Sequence, residues 1–204
     1  VSKFNEINNP NEKIIFDLAN FYKNAKEYEL SIKYYTNILK NLKDESIIKS
    51  DLLYRRGGSY ERLGNYKKAD EDLLKSLKIN PDEPYVLNYL AYSWLERDYK
   101  INEAIEMLEN AYSVKKNDPY IIDSIGWGYF LINDYLKAEK FLRKALELMP
   151  EDPIVNDHYG DILWKLDRKI EARYFWNNVL KMDDAEREMI ESINIKIVEG
   201  LKKS

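Results

Sequence analysis

The chain has 204 residues, of which 33% are charged and 45% hydrophobic, and these proportions are typical of an ordered, folded protein. The formal net charge of −4 argues against a nucleic-acid binder that neutralises phosphates, and no apolar run approaches the ~20 residues that a membrane-spanning helix needs. Cysteine is absent, which excludes disulfides, thiolate zinc sites and cysteine nucleophiles.

A short pattern of small and large residues recurs five times along the chain, at a period close to 34 residues. A small residue is followed by a large one three positions later and by a second small residue about twelve positions later. The copies are Ala19/Tyr22/Ser31, Gly57/Tyr60/Ala69, Ala91/Trp94/Ala104, Gly126/Tyr129/Ala138 and Gly160/Leu163/Ala172. Such a period is typical of stacked helix-turn-helix units and predicts an all-α fold.

In chain order, the pattern divides the sequence into a tail, five repeats and a final helix. The predicted segments are an N-terminal tail or remnant of an upstream repeat (1–11), the repeats (12–49, 50–83, 84–118, 119–152, 153–186) and a capping helix (187–204). The first repeat is long, and we place its extra residues around Lys43 to Glu45, because loops absorb insertions at little cost. The chain begins at Val1 without a methionine, and whether it is part of a longer protein is left open.

Each repeat is expected to contain two helices that cross at a small residue. Apolar residues recur at steps of three and four, as in Ile14, Leu18 and Phe21, which indicates an amphipathic first helix. Added bulk at the crossing would cost about 1–3 kcal/mol. The small residues of the second helices are Ser31, Ala69, Ala104, Ala138 and Ala172. The pairs Asp118-Pro119 and Asp152-Pro153 combine a capping carboxylate with a proline, and therefore mark helix starts.

The segment from Glu186 to Lys203 departs from the repeat pattern. Its apolar residues form one stripe, and the charged residues, Lys196 among them, lie off that stripe; the apolar residues are Ile190, Ile193, Ile197 and Leu201. Such a helix would cover the apolar face that a terminal repeat otherwise exposes to water. The alternative is that it is the first helix of a sixth repeat.

These residues resemble the tetratricopeptide repeat family. Leu18-Ala19-Asn20-Phe21-Tyr22 looks like its consensus, and the stretch from Gly126 to Pro150 matches it more closely. The resemblance covers residues 12–186 and implies a right-handed α-solenoid of about five repeats with a C-terminal capping helix. Two stretches, Asp118–Trp127 and Asp152–Trp164, also resemble multi-repeat proteins of alphaproteobacteria, many of which carry an export signal. The compartment is therefore left open between the bacterial cytoplasm and the periplasm.

In this family the first helices line a concave face where ligands usually lie, so the resemblance implies a set of partner-binding residues. Aromatic residues crowd this set, and tyrosine and tryptophan are typical of binding hot spots, although several are expected to pack between repeats instead. The candidates are Asn20, Tyr54, Arg55, Arg62, Tyr85, Asn88, Tyr89, Tyr92, Tyr120, Asp123, Trp127, Asp157, His158, Asp161 and Trp164. The three aspartates near the C-terminal end favour a partner with a basic segment, unless they are simply solvated.

Neither catalysis nor metal binding is expected at these positions. His158 is the only histidine, and with Asp157 and Asp161 it would make a poor metal site, so no metal or other cofactor is predicted. Phe16 and Tyr54 stand where the family's carboxylate-binding domains have their first lysine, which argues against recognition of chaperone tails. The sequence thus favours a non-catalytic scaffold that binds a peptide or helical segment of another protein and is itself a monomer. The alternative is a structural, self-associating subunit of a larger assembly, such as one of the cell envelope.

Overall fold

The structure is a computed structural model that describes residues 10–42 and 46–201. These residues form eleven α-helices and contain no strand. The predicted loop insertion at Lys43 to Glu45, most of the predicted tail and the last three residues lie outside the described residues. The helices belong to two compact units, residues 1–93 and 94–204. None of the described helices combines the length and apolarity of a membrane-spanning segment.

The first four helices of unit 1 form a series in which each packs against the next. The helices of unit 1 are α1 (Pro10–Asn24), α2 (Tyr28–Asn41), α3 (Ile47–Arg62), α4 (Tyr66–Ile79) and most of α5 (Pro84–Leu95). Helix α2 contacts both α1 and α3, and α3 contacts α4. A core cluster of α1, α2 and α3 is centred on Phe16, Tyr35 and Leu52, which are buried together with Ala19 and Ile38.

Unit 2 continues the same arrangement. Its complete helices are α6 (Ile101–Val114), α7 (Pro119–Leu131), α8 (Tyr135–Leu148), α9 (Pro153–Lys165), α10 (Lys169–Val179) and α11 (Arg187–Glu199). Each contacts its successor, and α7 also contacts α9, so that first helices of consecutive repeats lie side by side. Ile122, Ala145 and Val155 form a buried cluster there.

The small residues predicted at the helix crossings are all buried completely: Ser31, Ala69, Ala104, Ala138 and Ala172 have no exposed surface. Glycines of the first helices also approach the second helices closely. A Cβ at Gly126 would lie 2.7 Å from Leu142 Cγ, which is closer than real Cβ atoms approach, and 3.1 Å from the Leu142 backbone nitrogen. The recurrent small residues are therefore explained by the close approach of the two helices in each repeat.

The predicted helix starts are confirmed. Asp118 Oδ1 accepts from the backbone N–H groups of Tyr120 (3.1 Å) and Ile121 (3.3 Å), and Asp152 caps α9 in the same way. Between the helices of a repeat, the chain turns through left-handed residues, which include Gly64 at φ 70° and Asn133 at φ 62°. Glycine and asparagine tolerate this conformation best, and their positions fix where the helices end.

Helix α11 packs against α10, as expected for a helix that covers the last repeat. Ile193 is completely buried, and Arg173 of α10 donates from Nε to the backbone oxygen of Ile197 at 2.9 Å. Lys196, which the sequence places off the apolar stripe, points into unit 2, where it meets two carboxylates. Its alkyl stem can pack along apolar surface while the ammonium group finds these partners.

Candidate partner-binding surface

The first-helix surface of unit 1 is formed by α1, α3 and residues 84–93 of α5. Eight of the predicted residues lie on these elements: Asn20, Tyr54, Arg55, Arg62, Tyr85, Asn88, Tyr89 and Tyr92. Tyr85 and Arg62 are exposed, and the other six are half-buried. The predicted set is therefore accessible in unit 1, although its members differ in how far their polar atoms are already engaged.

Asn20 and Arg55 are engaged within the unit. Asn20 Oδ1 accepts from Tyr35 Oη at 2.7 Å and from Arg55 Nη1 at 3.1 Å, and its Nδ2 donates to the Phe16 backbone oxygen. Arg55 also donates from Nε to Asp51 at 2.9 Å and lies over the Phe16 ring. This network fixes α1, α2 and α3 together, and it leaves Asn20 one N–H for a ligand.

Two tyrosines, Tyr54 and Tyr89, pack against each other on the surface beside Gly58. The rings of Tyr54 and Tyr89 meet edge to face with centroids 5.8 Å apart. Tyr89 Oη donates to Glu61 Oε2 at 2.9 Å, and burial together with the Glu61 carboxylate raises the pKa of Tyr89. Because Gly58 has no side chain, the ends of the Tyr89 and Lys23 side chains lie close to the backbone of α3: a Cβ at Gly58 would be 3.3 Å from Tyr89 Oη and 3.8 Å from Lys23 Nζ.

Lys23 lies beside Tyr54, with Nζ 5.9 Å from the centre of the Tyr54 ring. Within the described part of the chain, no carboxylate is in ion-pair contact with this ammonium group. Burial and the nearby positive charges of Arg55 and Arg62 lower the pKa of Lys23, although Asp51 opposes the shift. Lys23 is not among the partner-binding residues predicted from the sequence, because its neighbours are brought together only by the packing of α1 on α3.

Asn88 has an enclosed oxygen. Its Oδ1 is buried and accepts no hydrogen bond from the described residues. An enclosed polar atom without a partner costs free energy, and its enclosure also keeps this oxygen out of reach of a bound segment. Tyr85, one turn earlier on α5, is 45% exposed and offers a large apolar face nearby.

In unit 2 the corresponding first helices bring Asp123 of α7 against His158 of α9. His158 Nδ1 lies 2.9 Å from Asp123 Oδ2 and 3.1 Å from Oδ1, and both side chains are buried. The Trp127 ring stacks on the imidazole with centroids 4.3 Å apart and on Phe130 with centroids 4.7 Å apart. Burial lowers the pKa of His158, but the Asp123 carboxylate outweighs it and raises the pKa above its usual range.

The other two predicted aspartates bind Lys196 of α11. Lys196 Nζ donates to Asp157 Oδ1 at 2.6 Å and to both carboxylate oxygens of Asp161 at 2.9 Å. Asp161 Oδ1 also accepts from Trp176 Nε1 at 3.0 Å. Burial and the neighbouring Asp157 raise the pKa of Asp161 to about 7. These two carboxylates are thus used to hold α11 on the last repeat.

The remaining predicted residues of unit 2 are Tyr120 and Trp164. Tyr120 is 62% exposed at the start of α7. Trp164 is half-buried, with Arg173 above its ring at 4.8 Å and Gly200 directly against it. Among the described residues, no cluster of histidine, aspartate and glutamate is arranged to hold a metal ion.

Paired helices, buried small residues at each crossing and side-by-side first helices define a helical-repeat protein. Models of the tetratricopeptide repeat match residues 50–83 and 123–152. The chain belongs to the tetratricopeptide-repeat family. The particular likeness to alphaproteobacterial proteins stays a prediction.

Relatives and solved structures are consistent with this family. The TPR repeat-containing protein PA4667 of Pseudomonas aeruginosa is 31% identical over 111 residues, which are 54% of this chain and 19% of that protein. Anaphase-promoting complex subunit 3 of Schizosaccharomyces pombe is 23% identical over 117 residues, 57% of this chain and 16% of that protein. The chain thus spans less than a fifth of either relative.

The crystal structure of TTC0263, a thermophilic TPR protein of Thermus thermophilus, superposes with a TM-score of 0.73. It is 18% identical, and the match covers 92% of this chain and 99% of that one. At this identity the likeness concerns the fold alone. The predicted fold class, an all-α array of helix-turn-helix repeats, is confirmed.

Proposed function

We propose that this chain is a non-catalytic scaffold that binds a segment of another protein along the first-helix surface of unit 1. Tetratricopeptide-repeat proteins generally act as protein-binding scaffolds. The observation that carries the proposal is the accessible chemistry of this surface: Tyr85 is 45% exposed, and the Lys23 ammonium group has no ion-pair partner among the described residues. Such groups are favourable places for a ligand, because a bound segment can supply what the chain itself lacks.

The charges of unit 2 support the same choice of surface. A basic partner segment, as the sequence suggested, would have to compete with His158 for Asp123 and with Lys196 for Asp157 and Asp161. Because these carboxylates are buried or half-buried and already paired, separating them from their partners costs more than the pairing with a ligand returns. We therefore place the partner on unit 1 and assign the unit 2 aspartates to the internal structure.

A display selection tests the proposed function. Short random peptides are selected on the purified chain, and the affinity of the enriched peptides is measured against Tyr85→Ala and Tyr66→Ala. The two tyrosines are matched, since they are 45% and 42% exposed, but only Tyr85 lies on the first-helix surface. Loss of an aromatic hot spot is expected to weaken binding about tenfold or more in Tyr85→Ala. Failure to enrich any peptide, or equal losses in both variants, would overturn the proposal.

A second candidate function, self-association, is favoured by exposed apolar residues of unit 2. Leu136 and Ile170 stand at equivalent positions of α8 and α10 and are 78% and 87% exposed, and Val198 of α11 is 78% exposed. A row of such residues suits contact with another copy. Light scattering over a range of concentrations decides between the two: a monomer at all concentrations excludes self-association, whereas a dimer that Ile170→Lys dissociates supports it.

A further inference from the structure

We propose that a basic groove, lined by α2, α3 and α4 of unit 1, binds an acidic segment of another protein. The groove has a volume of about 770 Å³. A smaller cavity of about 440 Å³ on α2 adjoins it, and the two share Thr36 and Lys40. The inference goes beyond the proposed function, because it assigns the chain a second binding surface for a partner of different chemistry.

The basic groove lies on the opposite side of α3 from the first-helix surface. Lys49, Leu53 and Arg56 line the groove and recur at steps of four and three residues, so they share one face of the helix. At about 3.6 residues per turn, Tyr54 and Arg55 of the first-helix surface point to the other side. A segment bound in the groove therefore leaves the first-helix surface uncovered.

Arg56 makes the groove a fixed feature of the unit. Its guanidinium group donates to both carboxylate oxygens of Asp72, at 2.6 and 2.8 Å, and to Thr36 Oγ1 at 3.0 Å. Asp72 is buried, so these bonds join α2, α3 and α4 and compensate the Arg56 charge within the unit. The charge that is available to a ligand therefore comes from the lysines around the groove.

Lysine side chains surround the groove without carboxylates among them. Among the described residues that line the two cavities, five are lysines and none is acidic: Lys33, Lys40, Lys49, Lys75 and Lys78. All except Lys49 are exposed and have no ion pair with another described residue. In a chain with a net charge of −4, this is a local excess of positive charge, to which a segment with several carboxylates is complementary.

Helix dipoles and the repeat pattern do not account for these lysines. Lys40 and Lys78 lie in the last turns of their helices, where the dipole stabilises a cation, but Lys49 lies in the first turn of α3, where it does not. Lys40 and Lys78 stand at equivalent positions of the first two repeats, which hold Ser113 and Glu147 in the next two. The lysines are therefore a property of this groove and not of the repeat.

The floor of the groove favours a peptide over other polyanions. Leu53 is 5% exposed at the floor, and Leu39 and Ile79 are half-buried on the flanking helices. A flat membrane surface would meet only the surrounding lysines, whereas a peptide side chain can reach the floor. None of the described lining residues is aromatic, as a surface that stacks nucleic-acid bases would require. We therefore expect a segment that combines carboxylates with an aliphatic side chain.

The first test measures the binding of defined peptides to the intact chain by fluorescence anisotropy. The probe is a labelled peptide of glutamates interrupted by two leucines. In one control peptide glutamine replaces every glutamate, and in the other serine replaces both leucines. We expect saturable binding of the probe and affinities about tenfold lower for each control, because each lacks one of the two kinds of contact. No binding of the probe, or equal binding of all three peptides, would overturn the proposal.

Competition with other polyanions tests the choice of a peptide. Vesicles of phosphatidylserine and phosphatidylcholine, or a single-stranded oligothymidylate, are added to the bound probe at an equal concentration of negative charge. We expect neither to displace the probe, since neither supplies an aliphatic side chain to the floor. Displacement by either one would mean that the lysines attract polyanions in general, and would overturn the assignment of the groove to an acidic protein segment.

The second test compares two double variants of α4 that change the net charge equally. Lys75→Gln with Lys78→Gln alters the groove, and Lys67→Gln with Lys68→Gln alters exposed lysines outside it. We expect the groove variant to lose about tenfold in affinity for the probe and the control about twofold or less, with both as resistant to urea as the wild type. Equal losses, or a groove variant that unfolds at lower urea concentration than the control, would contradict the proposal.

The failure of this inference can be distinguished from the failure of the proposed function. We expect Tyr85→Ala to weaken the display-selected peptides and not the probe, and the groove variant to weaken the probe and not the selected peptides. If Tyr85→Ala weakened the probe as much as the groove variant does, the inference would fail. If the selected peptides lost affinity only in the groove variant, the groove would stand and the proposed function would be wrong about the surface that binds them.

Discussion

His158 of α9 and Asp123 of α7 form a buried pair in which the imidazole Nδ1 lies 2.9 Å from a carboxylate oxygen. They come from adjacent repeats, 35 residues apart in the chain, and Trp127 covers the imidazole face. The pair therefore ties the first helices of two consecutive repeats together. How strongly the pair holds the two helices together depends on the charge state of His158, which a pH titration measures directly.

The pKa of His158 is expected to lie above 6.5 in the folded chain, because the Asp123 carboxylate outweighs the effect of burial. Since the folded pKa is raised, the stabilisation is fully present below pH 6.5 and is lost as the pH rises through the folded pKa. An NMR titration of the only histidine measures this value without ambiguity. In Asp123→Asn the largest raising effect is removed while those of Asp157 and Asp161 remain, so the pKa of His158 should fall relative to the wild type. A folded pKa below 6.5 in the wild type would contradict the account.

Asp161 should make the free energy of unfolding depend on pH in the same direction but over a lower range. Its pKa is raised from 3.8 to about 7, by burial and by Asp157, so the folded state holds a proton that the unfolded state releases. Stability is therefore expected to fall as the pH rises from about 4 to 7. In Asp161→Asn this part of the slope should be absent. If the free energy of urea unfolding changed with pH in the same way in the variant and the wild type, the pKa of the Asp161 carboxyl group would not be raised, and the prediction would fail.

Loss of the Lys196 charge should destabilise unit 2 strongly. In Lys196→Met, Asp157 and Asp161 remain close together without their cation, and removal of one partner of a buried pair costs about 3–5 kcal/mol. The control is Arg187→Met on the same helix, whose pair with Glu191 is exposed and worth at most about 1 kcal/mol. Urea unfolding, together with hydrogen exchange of the α11 amides, measures the effect of each of the two substitutions. Similar effects of the two changes would rule out the role given to Lys196.

The crossing of α9 and α10 should not tolerate a larger residue at Gly160. A Cβ there would lie 2.4 Å from Trp176 Nε1, and the indole is held in place by its hydrogen bond to Asp161. Overpacking of this kind costs about 1–3 kcal/mol, so Gly160→Ala should unfold at lower temperature. Gly58→Ala is the control, because its Cβ would meet only the end of the Tyr89 side chain, at 3.3 Å. Equal melting temperatures for the two variants would be inconsistent with the tight crossing.

The fold could be predicted because its determinants are local and recur. A small residue such as Ala138 or Gly160 and a cap such as Asp152 each act within one repeat, and five copies reinforce one another. Accessible surface was harder to predict. Asp123 and Asp161 stand on first helices like the exposed Tyr85, but Asp123 is buried against His158 of the next repeat and Asp161 against Lys196 of α11, contacts that no single repeat reveals.

The pairing of Lys196 with two aspartates was missed for a physical reason. A lysine next to an apolar stripe is usually solvated, and only the approach of α11 to α9 brings its ammonium group to Asp157 and Asp161. A signal was nevertheless present: two acidic residues one turn apart on α9 require a cation if they are buried.

The most direct measurement of the central claim is an NMR map of the intact chain bound to a display-selected peptide. The account predicts that shifted amides and intermolecular contacts cluster on α1, on α3 and on residues 84–93, with Tyr85, Asn88 and Gly58 among them. Contacts confined to α2 and α4, or to the helices of unit 2, would contradict the claim that the first-helix surface of unit 1 binds the partner.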